Sequence, residues 1–450
     1  MTTLNKRRRK KRIIRRLIKA GILILPLTLI IIIFSFFMKD LNNKKDKTEE
    51  LISIQHEEQS VNAEKESEKE PELITVSILS AGDIIMHDPF LTSNLYKKTD
   101  GTYDYNSIFK YIKGRYESAD FMVVNLESTI TDSNYKAYPK FRSPAAITTA
   151  LMQNSVDACL LANNHIYDNF DAGLRMTIDA VETNSMVYMG VRKTTTEKKY
   201  TIKEINGIKI GFFNYVYESG KSGNSNISIN AIPVNNETAP LINTFNNGNV
   251  DALLSNVKAG LEEMKAEGVD YTIAYIHWGV EYATTENSRQ RQIAAGLCEL
   301  GIDALIGGHP HVVQPVDLLT NTAGDHQMLC AYSMGNHLSN QYKERMETTK
   351  PTGHTEDGLM VNLILQRNDD NSISLIKADF IPTWVYRTQG EPDTGNPEFF
   401  ILPLDDPNGI IKKVAPLDIE TDVYESLTRT NEIIAAGVEK VQKALPIRKR

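Results

Sequence analysis

Between residues 73 and 345 the chain alternates short apolar runs with longer amphipathic ones. Ile74–Ala81, Phe121–Val124, Val156–Ala162, Tyr271–Ile276, Asp303–Ile306 and Gln327–Tyr332 have the length and composition of buried strands. Asp171–Asn184 carries Leu174, Ile178 and Val181 along one helical face, and Asp251–Glu267 and Ser288–Leu300 read as further helices. Ile205-Asn206-Gly207-Ile208 puts Asn-Gly between apolar segments, a strong hairpin signal. Strands alternating with helices over roughly 270 residues predict one α/β domain with a full core. In the extension that follows, 346–450, Leu359–Leu365 and Ser372–Ile381 predict two more strands that extend a sheet. Thr388–Pro407 reads as a loop, and Asp418–Leu445 as a terminal helix. There is no internal repeat.

The pattern before residue 73 is different. Residues 1–19 hold ten basic residues and no acidic one, and Ala20–Met38 is an uncharged stretch. Nineteen residues at about 1.5 Å per residue span roughly 28 Å, against a hydrocarbon core of about 30 Å. Pro26 is tolerable in such a helix. A cleaved signal peptide is the competing reading, but this run is longer than a signal's apolar region and no Ala-x-Ala site follows it. We therefore expect a retained transmembrane anchor at 20–38, with the basic segment 1–19 in the cytoplasm and the main domain outside. Residues 39–72, dense in Lys, Glu, Asp, Asn and Ser, predict a disordered charged linker.

Charge divides the same way. The chain has 50 basic and 57 acidic residues; without the ten N-terminal basics, residues 20–450 keep 40 against 57, a formal −17. A domain this acidic is a poor nonspecific partner for nucleic acid. An anionic substrate would need a local positive site, which a bound metal ion supplies. Cys159, Cys298 and Cys330 are odd in number, lie in apolar contexts and form no CxxC pair, which predicts buried free thiols.

Candidate chemistry clusters where the apolar runs stop. Gly82-Asp83 with His87, Asn125-Leu126-Glu127, Asn163-Asn164-His165, His277-Trp278-Gly279-Val280-Glu281 and Gly307-Gly308-His309-Pro310-His311 each follow a predicted strand. Such ends meet at one edge of an α/β sheet, where ligand sites form. Asp83 is a hard oxygen ligand or a cap for the next segment. His87 is a ligand or a surface imidazole. Glu127 can bridge two metals, while Asn125, on the same side of an extended segment, can orient a ligand. Asn164 can coordinate through its carbonyl oxygen, and His165 is a ligand or a general acid; an Asn cap is the rival. His277 is a ligand or a buried structural histidine, with Trp278 walling the pocket and Glu281 holding an imidazole. His309 and His311, alternate in an extended turn cleared by glycines, can both reach one site. Gln314 and Asn336 are candidates for binding substrate or ordering water. His56, His326 and His354 read as surface residues, and His337 is undecided. The set is that of a divalent metal centre, with one ion or two, manganese or zinc.

These motifs, in this order, resemble the bacterial capsule synthesis family of CapA/PgsA-like poly-γ-glutamate proteins. The resemblance rests on Gly82-Asp83, Asn125-Leu126-Glu127, Asn163-Asn164-His165, His277-Trp278-Gly279 and Gly308-His309-Pro310-His311-Val312, over roughly 75–340. That family is similar in fold to calcineurin-like metallophosphoesterases, which implies a four-layer αββα sandwich with a dimetal centre. By this resemblance Asp83, Glu127 and His311, with His87, would serve one metal. Glu127, Asn164, His277 and His309 would serve the other, and His165 would act at the leaving group. The chain departs from the phosphoesterase pattern in its Asp83-to-His87 spacing, in Asn-Leu-Glu at the second strand, and in Asn-Asn-His-Ile at the third.

The expectation is a membrane-anchored extracytoplasmic protein for synthesis or export of a poly-γ-glutamate capsule. Its partners would be the membrane, an anionic polymer and capsule synthase subunits, and its site that of a metal-dependent hydrolase or transferase. Two rivals use the same residues: a non-catalytic scaffold of the synthase complex, and a general extracellular metallophosphoesterase.

Overall fold

Strand alternation decides how the layers stack. In the strand Phe121–Leu126, Phe121 and Val123 enter one apolar core while Met122 and Val124 enter another. In Tyr271–His277, Tyr271, Ile273 and Tyr275 enter the first of these cores, and Ala274 and Ile276 enter a third. A strand's side chains point to opposite faces with period 2, so both strands are buried on both faces. The shared core is therefore the interface between two sheets. The outer cores hold the helices: Ala146–Gln153 and Phe170–Thr183 on one side, Val250–Ala266 and Ser288–Leu300 on the other. The order of layers is helix, sheet, sheet, helix.

This computed structural model describes residues 73–222, 225–346, 352–389, 396–415 and 417–448. The basic segment, the expected anchor, the linker and His56 lie outside the described residues. Among the described residues, no helix is long and apolar enough to cross a membrane.

The first sheet has nine strands. At its centre Thr75–Ile84 pairs in parallel with Phe121–Leu126, followed by Ala158–Leu160 and Val187–Met189. On the other side of Thr75–Ile84 lies Asp357–Arg367, antiparallel, then Ile373–Arg387. The second sheet has seven strands, with Ile208–Tyr217, Tyr271–His277, Ala304–Gly308 and Gln327–Ala331 parallel at its centre. The Asn-Gly hairpin is present, joining Tyr200–Ile205 to Ile208–Tyr217. The helix Ser288–Leu300 starts on a capping box between Asn287 and Gln290 and ends at Gly301 with φ of 88°.

The C-terminal region adds a helix at Pro407–Val414 and a short strand at Ile447–Arg448 to the sequence reading, and corrects it within the expected loop. Thr388–Pro407 is not wholly loop: Phe399–Pro403 is a fully buried strand on the edge of the first sheet. Its five residues are apolar but short, and the surrounding Pro, Gly and Asp residues mask them in a composition window. The helix Glu420–Ala444 packs Ile434 and Val441 into the core between the sheets. Arg429 on this helix makes a bidentate bond to buried Asp357, at 2.7 and 2.8 Å. All three cysteines are free and buried, and burial raises the Cys159 thiol to about 12.

Candidate metal centre

The parallel strands of both sheets deliver their C-terminal ends to one place. Asp83 stands in register with Asn125 across the first sheet, and His277 with Gly308 across the second. Glu127 follows the strand Phe121–Leu126, and Asn163–His165 follow Ala158–Leu160. Two glycines make the approach possible. A Cβ on Gly82 would overlap the carbonyl oxygen of Gly335, and one on Gly308 would lie 2.9 Å from Asp83 Oδ1. His309 and His311 sit at φ of 97° and 58°, in the left-handed region. Non-glycine residues there carry strain of about 1–3 kcal/mol each, and such strain gathers at functional sites.

Glu127 is the hub. Its Oε1 is buried and, among the described residues, has no hydrogen-bond partner. Three imidazoles face it: His277 Nε2 at 3.7 Å, and His165 Nε2 and His311 Nε2 at 3.9 Å. Two donors on one ion, each at roughly 2.0–2.2 Å, stand a little over 3 Å apart, so these gaps need little closing. Three groups of donor atoms could hold a metal ion: Asp83, Glu127 and His311; Glu127, His277 and His309; and Glu281, His309 and His311. Asn164 Oδ1 lies 2.9 Å from His277 Nε2, adding an oxygen to the second group. Among the described residues the Nδ1 atoms of His309 and His311 are also buried without a hydrogen-bond partner, and that of His311 lies 3.3 Å from Asp83 Oδ2. Buried polar atoms are normally paired, so this many orphans converging on carboxylates fit a bound cation.

The surroundings fix these side chains. Asp83 accepts from Asn125 Nδ2 at 2.8 Å and from the backbone N–H of His309 at 3.2 Å. Asn125 reaches Glu127 Oε2 at 3.3 Å and accepts from Asn163 at 3.1 Å, so it orients both carboxylates. His165 donates from Nδ1 to Asp168 at 2.6 Å, leaving Nε2 toward the centre. Asp168 is a residue the sequence reading missed; a carboxylate three positions after the histidine was the available signal. Tyr217 was also missed. It ends its strand with its ring 4.8 Å from that of His309.

Other candidates lie elsewhere. His87 accepts the backbone N–H of Asn340 at Nδ1, packs edge-on against Phe141, and belongs to none of the three groups. Gln314 is committed to structure, bonding Ala283, Thr285 and Gln290. Asn336 Nδ2 donates to Gln341 and Thr355, leaving Oδ1 buried without a partner among the described residues. His337 is buried against the Tyr116 hydroxyl. His326 is half-buried rather than a surface residue, bonded to the Ile302 carbonyl, and His354 is half-buried near Asp357.

Burial sets the electrostatics. It raises the Glu127 carboxyl well above its ordinary 4.5, and the charges of Asp83, Glu281 and Asp168 add to the shift. It holds His277 and His309 well below 6.5, helped by neighbouring imidazoles, and takes His87 and His337 to about 3. In metal-free protein the four depressed imidazoles contribute stability that is present above pH 6.5 and lost as the pH falls through their folded values. Glu127 acts oppositely: its contribution is present below pH 4.5 and lost as the pH rises through its raised value. The net contribution of these five groups to metal-free stability should therefore climb from pH 4.5 to 6.5, with Glu127 opposing any further rise. His354, also depressed by burial, adds to the climb, and Glu356, Asp357 and Asp422, whose carboxyls burial raises, act with Glu127. Urea unfolding across this range, with and without Mn²⁺, checks the signs; stability that falls between pH 4.5 and 6.5 would contradict them.

Comparison with known proteins gives the chain's family. Residues 77–341 match the family described as "Bacterial capsule synthesis protein PGA_cap". The "PGA biosynthesis protein CapA" of Bacillus subtilis (strain 168) is 25% identical over 282 residues, which cover 61% of this chain and 65% of that protein. The match thus spans just under two thirds of that relative's length. The "Capsule biosynthesis protein CapA" of Bacillus anthracis is 22% identical over 379 residues, 83% of this chain and 77% of that one. A crystal structure of a hypothetical protein from Thermus thermophilus covers 68% of this chain and 98% of its own, at 15% identity and a TM-score of 0.38, too low to carry an argument. The chain belongs to the bacterial capsule synthesis protein family.

Proposed function

We propose that this protein is a membrane-anchored extracytoplasmic component of poly-γ-glutamate capsule synthesis or export, with a metal-dependent hydrolase- or transferase-like site on a calcineurin-like metallophosphoesterase fold. One observation carries the chemical half of this reading. Glu127 is shared between two donor groups, Asp83/Glu127/His311 and Glu127/His277/His309, and its Oε1 is buried without a hydrogen bond among the described residues. Family membership and the two relatives named for capsule biosynthesis support the biological half.

Asp83, Glu127 and His311 would hold one ion; Glu127, His277, His309 and Asn164 would hold the other. Divalent ions there would supply Lewis-acid activation of a carbonyl or phosphoryl centre. The chain's own residues do the rest. Asn125 keeps the two carboxylates aimed inward. Asp168 fixes the His165 ring so that Nε2, not Nδ1, faces the centre, and from there it hands a proton to a leaving group. Phe141 stands edge-on to that ring at 4.6 Å and limits its rotation.

The test compares wild type with His309→Ala/His311→Ala. Wild type should contain near-stoichiometric metal and the double variant little. In cells the variant should reach the membrane in normal amount yet make no polymer. Metal loss with polymer retained would favour the scaffold. Robust turnover of simple phosphoesters, with capsule unaffected, would favour a general phosphoesterase.

A further inference from the structure

The donor group Glu281/His309/His311 is not used by the two-ion assignment above. Glu281 differs from the other acids of the centre. Asp83 and Glu127 are fully buried, whereas Glu281 is exposed. Its backbone is nevertheless fixed. The Trp278 N–H donates to Gly308 at 3.1 Å and the Tyr282 N–H to Pro310 at 2.7 Å, so residues 278–282 are fastened at both ends to the His309 turn. Gly279 and Tyr282, at φ of 92° and 65°, make the fold-back that this attachment needs. One oxygen of this carboxylate lies within 4.8 Å of a ring nitrogen of each of the two imidazoles. His309 Nδ1 is buried without a hydrogen-bond partner among the described residues, and His311 Nδ1 lies 3.3 Å from Asp83 Oδ2.

The coordination count leaves room for it. The group Asp83/Glu127/His311 offers three protein atoms, whereas the other gains Asn164 as a fourth. A divalent ion held by three protein donors keeps an open position. His87, the remaining sequence candidate for that position, has its Nδ1 occupied by the Asn340 N–H.

We propose that Glu281 is the outward-facing ligand of the centre, binding the ion at His311 in the resting protein and giving up its place when a substrate oxyanion enters. This rests on the two-ion reading above. Asp83 and Glu127 are held by Asn125 and by burial, and His309 and His311 by burial, so the exposed carboxylate is the donor an incoming oxygen can displace without disturbing the core.

The experiment uses the full chain in detergent, titrated with Mn²⁺, as wild type, Glu281→Gln and Glu281→Asp. Both variants should bind as many ions as wild type at saturation, with the weaker ion held about tenfold less tightly. Asp keeps the charge but shortens the reach, so it should behave like Gln. With saturating inorganic phosphate the three proteins should converge, because the carboxylate has already left. Equal affinities without phosphate would overturn the assignment. An Asp variant that matches wild type would make Glu281 a distant charge, and a gap that persists with phosphate would make it a fixed ligand. If wild type itself binds no Mn²⁺, the two-ion reading fails first and this inference falls with it.

Discussion

Glu127→Gln should lose both ions yet make the metal-free protein more stable. The carboxylate is the only donor common to the Asp83 and His277 groups, so neutralising it weakens both. A loss of about 100-fold or more per ion, roughly 2.7 kcal/mol, is the expected size. The opposite effect on the metal-free fold follows from burial. Glu127 is 0% exposed, its Oε1 has no hydrogen bond among the described residues, and its nearest charges are other carboxylates. Keeping such a group ionised in the interior is costly, and a neutral residue of the same shape removes that cost. The gain should grow as the pH rises above 4.5, because the unfolded chain then releases the proton more readily than the folded one. Metal analysis and melting of the metal-free protein at several pH values check both signs. A variant that keeps its metal, or melts lower without it, would remove Glu127 from the hub.

Trp278→Ala should be among the most destabilising single changes near the centre, at about 3–5 kcal/mol. Its indole is 1% exposed and packs nearly parallel to the Tyr332 ring, 6.1 Å away. Its Nε1–H donates to the Tyr332 carbonyl at 2.9 Å. Truncation leaves a cavity and an unpaired buried carbonyl together. The damage should reach the centre, because Trp278 follows His277 and its backbone N–H holds the Gly308 carbonyl. Trp278→Phe refills most of the volume and loses only the hydrogen bond, costing about 1–3 kcal/mol. Denaturant unfolding of the two variants separates packing from hydrogen bonding. Equal costs would mean that the cavity contributes little.

The long elements of the fold were legible because their local signals agree. Ser288–Leu300 has the length the sequence predicts, with its Asn287 cap and Gly301 stop both written locally. The Asn206-Gly207 hairpin needed nothing beyond its own turn chemistry. Val187–Met189 and Phe399–Pro403 were not legible, since strands of three and five residues have too short a pattern to stand out. What makes them strands is a neighbouring edge that needs covering: Ala158–Leu160 for the first, Ile373–Arg387 for the second.

The candidate site divides in the same way. By itself the sequence determined which residue types stand at the ends of apolar runs, and therefore that Asp83, Glu127, Asn164, His277, His309 and His311 leave the core at one edge. Strand direction and period settle that much, and both are local properties. Only the tertiary structure decided which donors meet. It set Glu127 opposite three imidazoles from three different chain segments, brought Asp168 under His165, and turned His87 toward Asn340. It also folded residues 278–282 back over the His309 turn, which brings Glu281 to the centre from a loop that no periodicity describes. The physical reason is that a metal centre is defined by distances between atoms far apart in the chain. Those distances are fixed by how two sheets pack face to face, and no single segment of sequence encodes that packing.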